Sequence, residues 1–246
     1  MYDVHTTLAH LDAHKWAIMG LCSFAMVFNY IWFFLALRQA KRDQRYSVPA
    51  FTTVFWLVGD STFVFGFHDW FFKYKDWYPE LFWVALLFTV AFELAFTRQL
   101  LMYGRDELMP KATQQQFIAA IAVAVVVGEF VWWLMRHLIG DPLGITYFDL
   151  ANVSGPIWAG ALVLRRGHRG GQVTEIWLAY FAMAGIWYVA EYLWFGPAFR
   201  AAPYTAIAVV CEVAALAVAY LVAHAPAYDA ATAADANSGA AARVTV

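Results

Sequence analysis

Seven stretches of about 20 mostly apolar residues recur along the chain, each long enough at 1.5 Å per residue to cross a hydrocarbon core of about 30 Å. They are Trp16–Leu37, Val48–Phe67, Leu81–Tyr103, Phe117–Leu138, Tyr147–Leu164, Thr174–Trp194 and Pro203–Ala223. In lipid, every backbone N–H and C=O must be satisfied within the protein, so such stretches are expected to fold as helices. The expected fold is all-α, a polytopic bundle of seven transmembrane helices. Composition points the same way: 63% of residues are hydrophobic and 14% charged, where soluble domains are roughly half apolar. Pro49 and Pro203 fall where a first helical turn tolerates proline, whereas Pro156 lies inside the fifth stretch and predicts a kink. The breaker-rich run from Gly140 to Gly144 precedes that stretch and makes its start the least defined.

Lys and Arg gather in alternate loops. Arg38, Lys41, Arg42 and Arg45, then Arg105 and Lys111, then Arg165, Arg166 and Arg169 occupy the first, third and fifth connections. The other side holds Lys15, Lys73, Lys75 and Arg200. The positive-inside rule then predicts an outside N-terminus and a cytoplasmic C-terminus. Residues 1–15 read as an extracytoplasmic segment, 16–224 as the membrane domain, and 225–246 as a disordered, Ala-rich cytoplasmic tail. No internal repeat is visible.

Several function classes are disfavoured at once. With a formal charge of −2, no basic run and no Gly-rich phosphate loop, nucleic acids and nucleotides are not expected partners. Cys22 and Cys211 stand alone in apolar stretches and suggest neither zinc nor a redox motif. No stretch contains the lysine a retinal Schiff base requires. His68 and His137 lie at the ends of stretches, and the remaining histidines in tails and loops, so matched haem ligands are not expected. No DDxxD-like run is present to gather Mg²⁺ around a diphosphate. The expectation is no metal and no cofactor, with membrane lipids and a lipophilic small molecule as partners.

Ionisable groups inside a bilayer are costly and mark functional sites. Five carboxylates attract attention: Asp60, Glu93, Glu129, Glu191 and Glu212. Counted along ideal helices, Asp60 and Glu129 lie roughly 18 Å from the cytoplasmic edge and Glu212 roughly 14 Å from the outer one. Glu93 falls close to that layer, while Glu191 nears the outer interface and is expected to be solvated. Arg98 and Arg136 are the basic residues available as partners, too few to neutralise every mid-bilayer acid. Desolvation disfavours the charged form, so at least one acid is expected to be neutral at pH 7 and able to deliver a proton. Helix-to-helix hydrogen bonding is the alternative role for each acid. Aromatic residues make up 19% of the chain and crowd the same stretches, with Trp56 and Phe63 flanking Asp60. Ring faces attract cations, so acids with an aromatic lining suit a carbocation intermediate; lipid-facing filler is the plainer reading of any one ring.

Against this background, a set of short motifs resembles the membrane-bound terpene cyclases of meroterpenoid and indole-terpenoid pathways. These are Asn29-Tyr30, then Asp43, Tyr46 and Pro49 with an acid about a dozen residues on, Tyr103-Gly104-Arg105, Arg165-Arg166-Gly167, and an acid midway through the last stretch. The resemblance implies a small seven-span, metal-independent enzyme. One acid in the second span and one in the last would protonate a terminal epoxide or alkene of a prenylated substrate. Those positions match Asp60 and Glu212. The family pattern has Trp-Glu in the second span and Asp in the last, where this chain reads Gly59-Asp60 and Glu212. Two readings therefore go forward. The first is a proton-initiated cyclase, with Asp60 and Glu212 catalytic, Glu93 and Glu129 as additional acids, and Trp56 and Phe63 stabilising cations. The second is a non-catalytic transporter or lipophile-binding protein using these carboxylates as a relay. A structural subunit of a lipid-pathway complex is a third.

Overall fold

A computed structural model describes residues 2–229, and among them every regular element is helical. The α-helices are α1 (Val4–Ala13), α2 (Lys15–Asp43), α3 (Ala50–Phe65), α4 (Trp77–Tyr103), α5 (Arg105–Leu108), α6 (Gln114–Ile139), α7 (Ile145–Arg166), α8 (Thr174–Trp194) and α9 (Ala202–His224), with a π-helix at Asp69–Tyr74 and a 3-10 turn at Pro197–Arg200. Five of them, α2, α4, α6, α8 and α9, are long and apolar enough to cross a membrane. The α3 helix is shorter, at 16 residues, and the 22 residues of α7 carry buried Asp149 and Asn152. Sequence hydropathy therefore singles out five helices more sharply than seven.

Helix ends follow local chemistry. The α2 helix runs past Leu37 into the basic connection, and Lys41 and Arg42 lie in its last turn, where cations complement the helix dipole. It stops at Gln44, whose φ of 52° is left-handed. The α4 helix begins four residues before the expected Leu81, because the Asp76 side chain accepts from the Tyr78 N–H and caps it. Asp3 likewise caps α1, a helix not foreseen in the N-terminal segment, which buries Leu8 and Leu11. Pro156 is accommodated inside α7 without ending it.

The core packs α2 against α8, α7 and α8 against α9, and α3 against α4, α6 and α7. The α3 and α7 helices meet at Gly59 and Tyr147. A Cβ built on Gly59 would fall 1.9 Å from the Tyr147 ring, so a larger residue there displaces that ring. The α6 helix fully buries only Phe117 and Trp132, packs Ile121 and Val125 partly against the core, and turns Val123, Val126, Val127 and Phe130 outward. Connections group at two ends. At one, the Tyr2 hydroxyl donates to Asp141 at 2.5 Å, and the Trp70 indole N–H donates to the Pro142 carbonyl at 3.0 Å. At the other, the α2–α3, α4–α6 and α7–α8 connections meet around Glu107.

The chain just after α9 is tied to the α7–α8 connection. The Arg169 N–H donates to the Pro226 carbonyl at 3.0 Å, and Tyr228 packs on His168 and under Arg45. The rest of the tail expected to be disordered, residues 230–246, lies outside the described residues.

Candidate functional site

Three helices bring Asp60 of α3, Glu93 of α4 and Tyr147 of α7 together. The two carboxyls meet, and the Tyr147 hydroxyl reaches Asp60. Both acids are buried, at 4% and 1% exposure. A hydrogen bond between two carboxyls requires a proton on one of them, so the geometry itself calls for a shared proton. Tyr147 is held from behind, its backbone N–H donating to Asp141 at 2.7 Å. Gly59 is what admits the tyrosine ring beside Asp60.

The acids face a cavity of about 30 Å³ whose wall includes Asn29, Trp32, Trp56 and Asn152. That volume suits a water molecule or two, since a single water needs only about 10–15 Å³ of such space and a few polar partners. The indole N–H of Trp32 donates to Asn29 and that of Trp56 to the Ala151 carbonyl, both at 3.0 Å, which fixes the two rings. Trp32 stands edge-on to Trp56 at 5.5 Å and to Tyr180 at 5.3 Å. Two polar atoms of the wall, Glu93 Oε2 and Asn152 Nδ2, are buried without a partner. Among the described residues, no cation is paired with either acid.

The other sequence-predicted residues lie elsewhere. Glu212 opens onto a separate groove between α8 and α9, beside Gly185, and neither of its oxygens has a hydrogen-bond partner. Tyr180, in the wall of the Asp60 cavity, is within electrostatic reach of Glu212. The structure thus joins Asp60 to Glu93 and does not bring Asp60 and Glu212 to one cavity. Glu129 accepts from Thr62 Oγ1 at 2.8 Å and Ser61 Oγ at 3.3 Å, a link between α6 and α3. Trp56 lines the acid cavity, but Phe63 does not. Its ring packs on Trp70 at 5.2 Å and already carries the Arg136 guanidinium 4.9 Å above it. Arg136 is spent there, and Arg98 is exposed and pairs with none of the acids.

Glu191 corrects an expectation. It is 3% exposed rather than solvated, because α8 turns it inward against Asp149 of α7 and the Trp187 indole. Sequence reasoning passed over Asp149, although an acid inside an apolar stretch was signal enough. Among the described residues, no three His, Cys, Asp or Glu side chains are grouped to hold a metal.

Tyr46, Arg165 and Arg166 of the loop motifs converge on Glu107. Arg165 and Arg166 both donate to its carboxylate, Arg166 at 2.9 Å, and Arg45 approaches at 3.4 Å. The Tyr46 hydroxyl donates at 3.0 Å. Asp43 accepts from the Gly171 N–H at 2.8 Å and ties the α7–α8 connection to the end of α2. Burial works to raise the Glu107 pKa, but the hydrogen bond and charge of Arg166, with Tyr46 and Arg165 behind them, hold it below the usual glutamate range. His168 is pushed down by burial and by Arg166 and Arg45, and its Nδ1 accepts from the Gly170 N–H.

Comparison with family models, curated proteins and solved structures found no match.

Proposed function

We propose that all seven long helices cross the bilayer, with the N-terminus outside, and that the protein is an intramembrane acid catalyst of the terpene-cyclase type. The observation that carries the reading is the Asp60–Glu93 pair: two buried carboxyls in contact, with no cation beside them, in a cavity walled by fixed indoles. A shared proton is available to a weak base such as an epoxide oxygen or an alkene carbon. Asp60 acts as the acid, and Glu93 accepts the hydrogen bond that keeps the pair poised. The faces of Trp32 and Trp56 then oppose the cation as it develops. After ring closure, the deprotonated member of the pair takes a proton from the product cation, which restores the acid. Admission of a prenyl chain requires the α3–α4–α7 contact to open, since the resting cavity is water-sized.

That small volume favours a second reading, in which the carboxyl pair relays protons through a water-sized chamber and no substrate is transformed. One experiment separates the two. Purified protein is incubated with an epoxidised prenyl-aromatic substrate, and the same preparation in vesicles is assayed for proton flux. The cyclase reading expects cyclic product that falls at least about 100-fold in Asp60→Asn and in Glu93→Gln. Unchanged product in both variants overturns it, and proton flux lost in the same variants without any product establishes the relay.

A further inference from the structure

A second acid pair lies outside the site just described. Asp149 of α7 and Glu191 of α8 contact one another, with the Trp187 indole N–H directed at both, and all three residues are at least 97% buried. Asp141, within electrostatic reach, is satisfied: the Tyr2 hydroxyl donates to it at 2.5 Å and the Tyr147 N–H at 2.7 Å. The pair is not. Both Asp149 oxygens, Glu191 Oε1 and the Trp187 indole nitrogen are buried without a completed hydrogen bond. So is the hydroxyl of Tyr78, which is 5% exposed and acts on Glu191 and Asp149 from α4. Among the described residues no ion pair includes either acid. The other titratable groups that act on them are Asp141, Tyr188, Tyr204 and the thiols of Cys22 and Cys211, none of them a base. Asp149 precedes Asn152, in the wall of the Asp60 cavity, by one turn of α7, about 4.5 Å of helix rise. Phe148 lines that cavity and packs on Trp187 at 4.8 Å, so the two acid pairs lie in series along α7.

We propose that Asp149 and Glu191 form a second proton-binding site, in which the two carboxyls share one proton and an ordered water joins them to the Trp187 and Tyr78 donors. Two carboxyls in contact need a proton between them, and no cation is in place to substitute for it. That proton uses one oxygen of each acid. It leaves an acceptor on Asp149 and two donors, the Trp187 N–H and the Tyr78 O–H, still to be matched, and buried polar groups of this kind are matched by protein or by internal water. Water fits the set because it accepts from both donors and donates to the remaining carboxyl oxygen. A sodium ion does not, since the indole N–H would turn its positive end toward the ion. The site needs no turnover and rests on neither reading of the Asp60 pair.

Infrared absorption of the full-length protein in detergent at pH 7 tests this, because a protonated carboxyl absorbs above the amide band and an ionised one does not. The wild type is expected to show protonated-carboxyl absorption, and the double variant Asp149→Asn/Glu191→Gln to lose the area of one carboxyl group. Trp187→Phe removes a donor and keeps both acids. It should shift the frequency of the same absorption and leave its area unchanged, a result that does not depend on the double variant folding. The wild-type spectrum should be the same in sodium chloride and in choline chloride. The proposal is overturned by an area unchanged in the double variant, by a loss of two carboxyls, which would give each acid its own proton, or by a Trp187→Phe spectrum identical to that of the wild type. Absorption that disappears in sodium chloride also overturns it, since the site would then hold a cation. Asp60→Asn/Glu93→Gln, recorded alongside, reports on the other pair, so failure here and failure of the cyclase reading are separate outcomes.

Discussion

Glu93 and Glu107 belong to neighbouring elements and have opposite surroundings. Glu107 sits at one end of the bundle among Arg45, Arg165 and Arg166, with Tyr46 completing its hydrogen bonds. Glu93 lies mid-helix against another acid, and one of its oxygens has no partner at all. The first arrangement is a pin: it ties three connections and holds the carboxylate ionised. The second contributes little as a tie, because a carboxyl pair holds helices together only through the proton it shares. A polar group that is not satisfied by its structural neighbours is one available for chemistry, and under the proposed function the contrast puts stability at one end and reactivity at the centre.

The sharpest way to break this contrast is to remove each acid in turn and measure unfolding. Glu107→Gln leaves Arg166, whose side chain is only 2% exposed, without its counter-charge. A loss of about 3 kcal/mol is expected, the lower end for breaking a buried ion pair because Arg165 is half exposed and rehydrates. Asp60→Asn and Glu93→Gln keep a donor and an acceptor in contact, so each should change stability by less than about 1 kcal/mol. Thermal unfolding in one detergent ranks the three variants. A larger loss for Glu93→Gln than for Glu107→Gln would reverse the assignment of roles.

Acid sharpens the comparison further. The Glu107 pKa is lower in the folded protein than in the unfolded chain, so its stabilisation is complete above the ordinary glutamate range near pH 4 and is lost as pH falls through the folded value. The gap in unfolding temperature between wild type and Glu107→Gln should therefore be constant from pH 7 to about pH 5 and narrow below that. A gap that stays fixed down to pH 3 would mean the carboxylate charge is not what holds the three connections together.

How much of this was legible depends on what each feature is made of. The bounds Thr174–Trp194 could be read closely, because the apolar run is bracketed by Gly170-Gly171 before it and Gly196-Pro197 after it. The α1 helix escaped notice because its buried face rests on few residues, Leu8 and Leu11 chief among them, in an otherwise polar segment. Polar residues that α7 turns inward, Asp149 and Asn152, lower its hydropathy while belonging to the interior. Depth along a helix can be counted from sequence, and it put Asp60, Glu129 and Glu212 in one layer with Glu93 close by. Azimuth cannot be counted that way. The choice of Glu93 as partner follows from which faces of α3 and α4 pack, a choice made by Gly59 and Tyr147 as much as by the acids. The motifs at Asp43, Tyr46 and Arg165-Arg166 were legible as a set but not as a structure. Glu107, the residue on which Tyr46, Arg165 and Arg166 converge, carries no signal of its own within an acidic Asp106-Glu107 pair.

Glu212 belongs to neither region, and it sets the smallest expected effect. Among the described residues its carboxyl has no hydrogen-bond donor and no arginine within pairing distance, and a Cβ built on Gly185 would stand 3.5 Å from it. Glutamine occupies almost the same volume and forfeits no hydrogen bond. Glu212→Gln should therefore change unfolding by less than about 0.5 kcal/mol. It should also leave cyclic product within about twofold of wild type, against the 100-fold fall expected for Asp60→Asn. The two variants must be compared in one assay, because the sequence resemblance treats Asp60 and Glu212 as partners while the packing gives Asp60 to Glu93. A fall in product that matches Asp60→Asn would return Glu212 to the reaction. The route would then run past Tyr180, which touches the acid cavity on one side and feels Glu212 on the other, and Tyr180→Phe would become the variant that tests it.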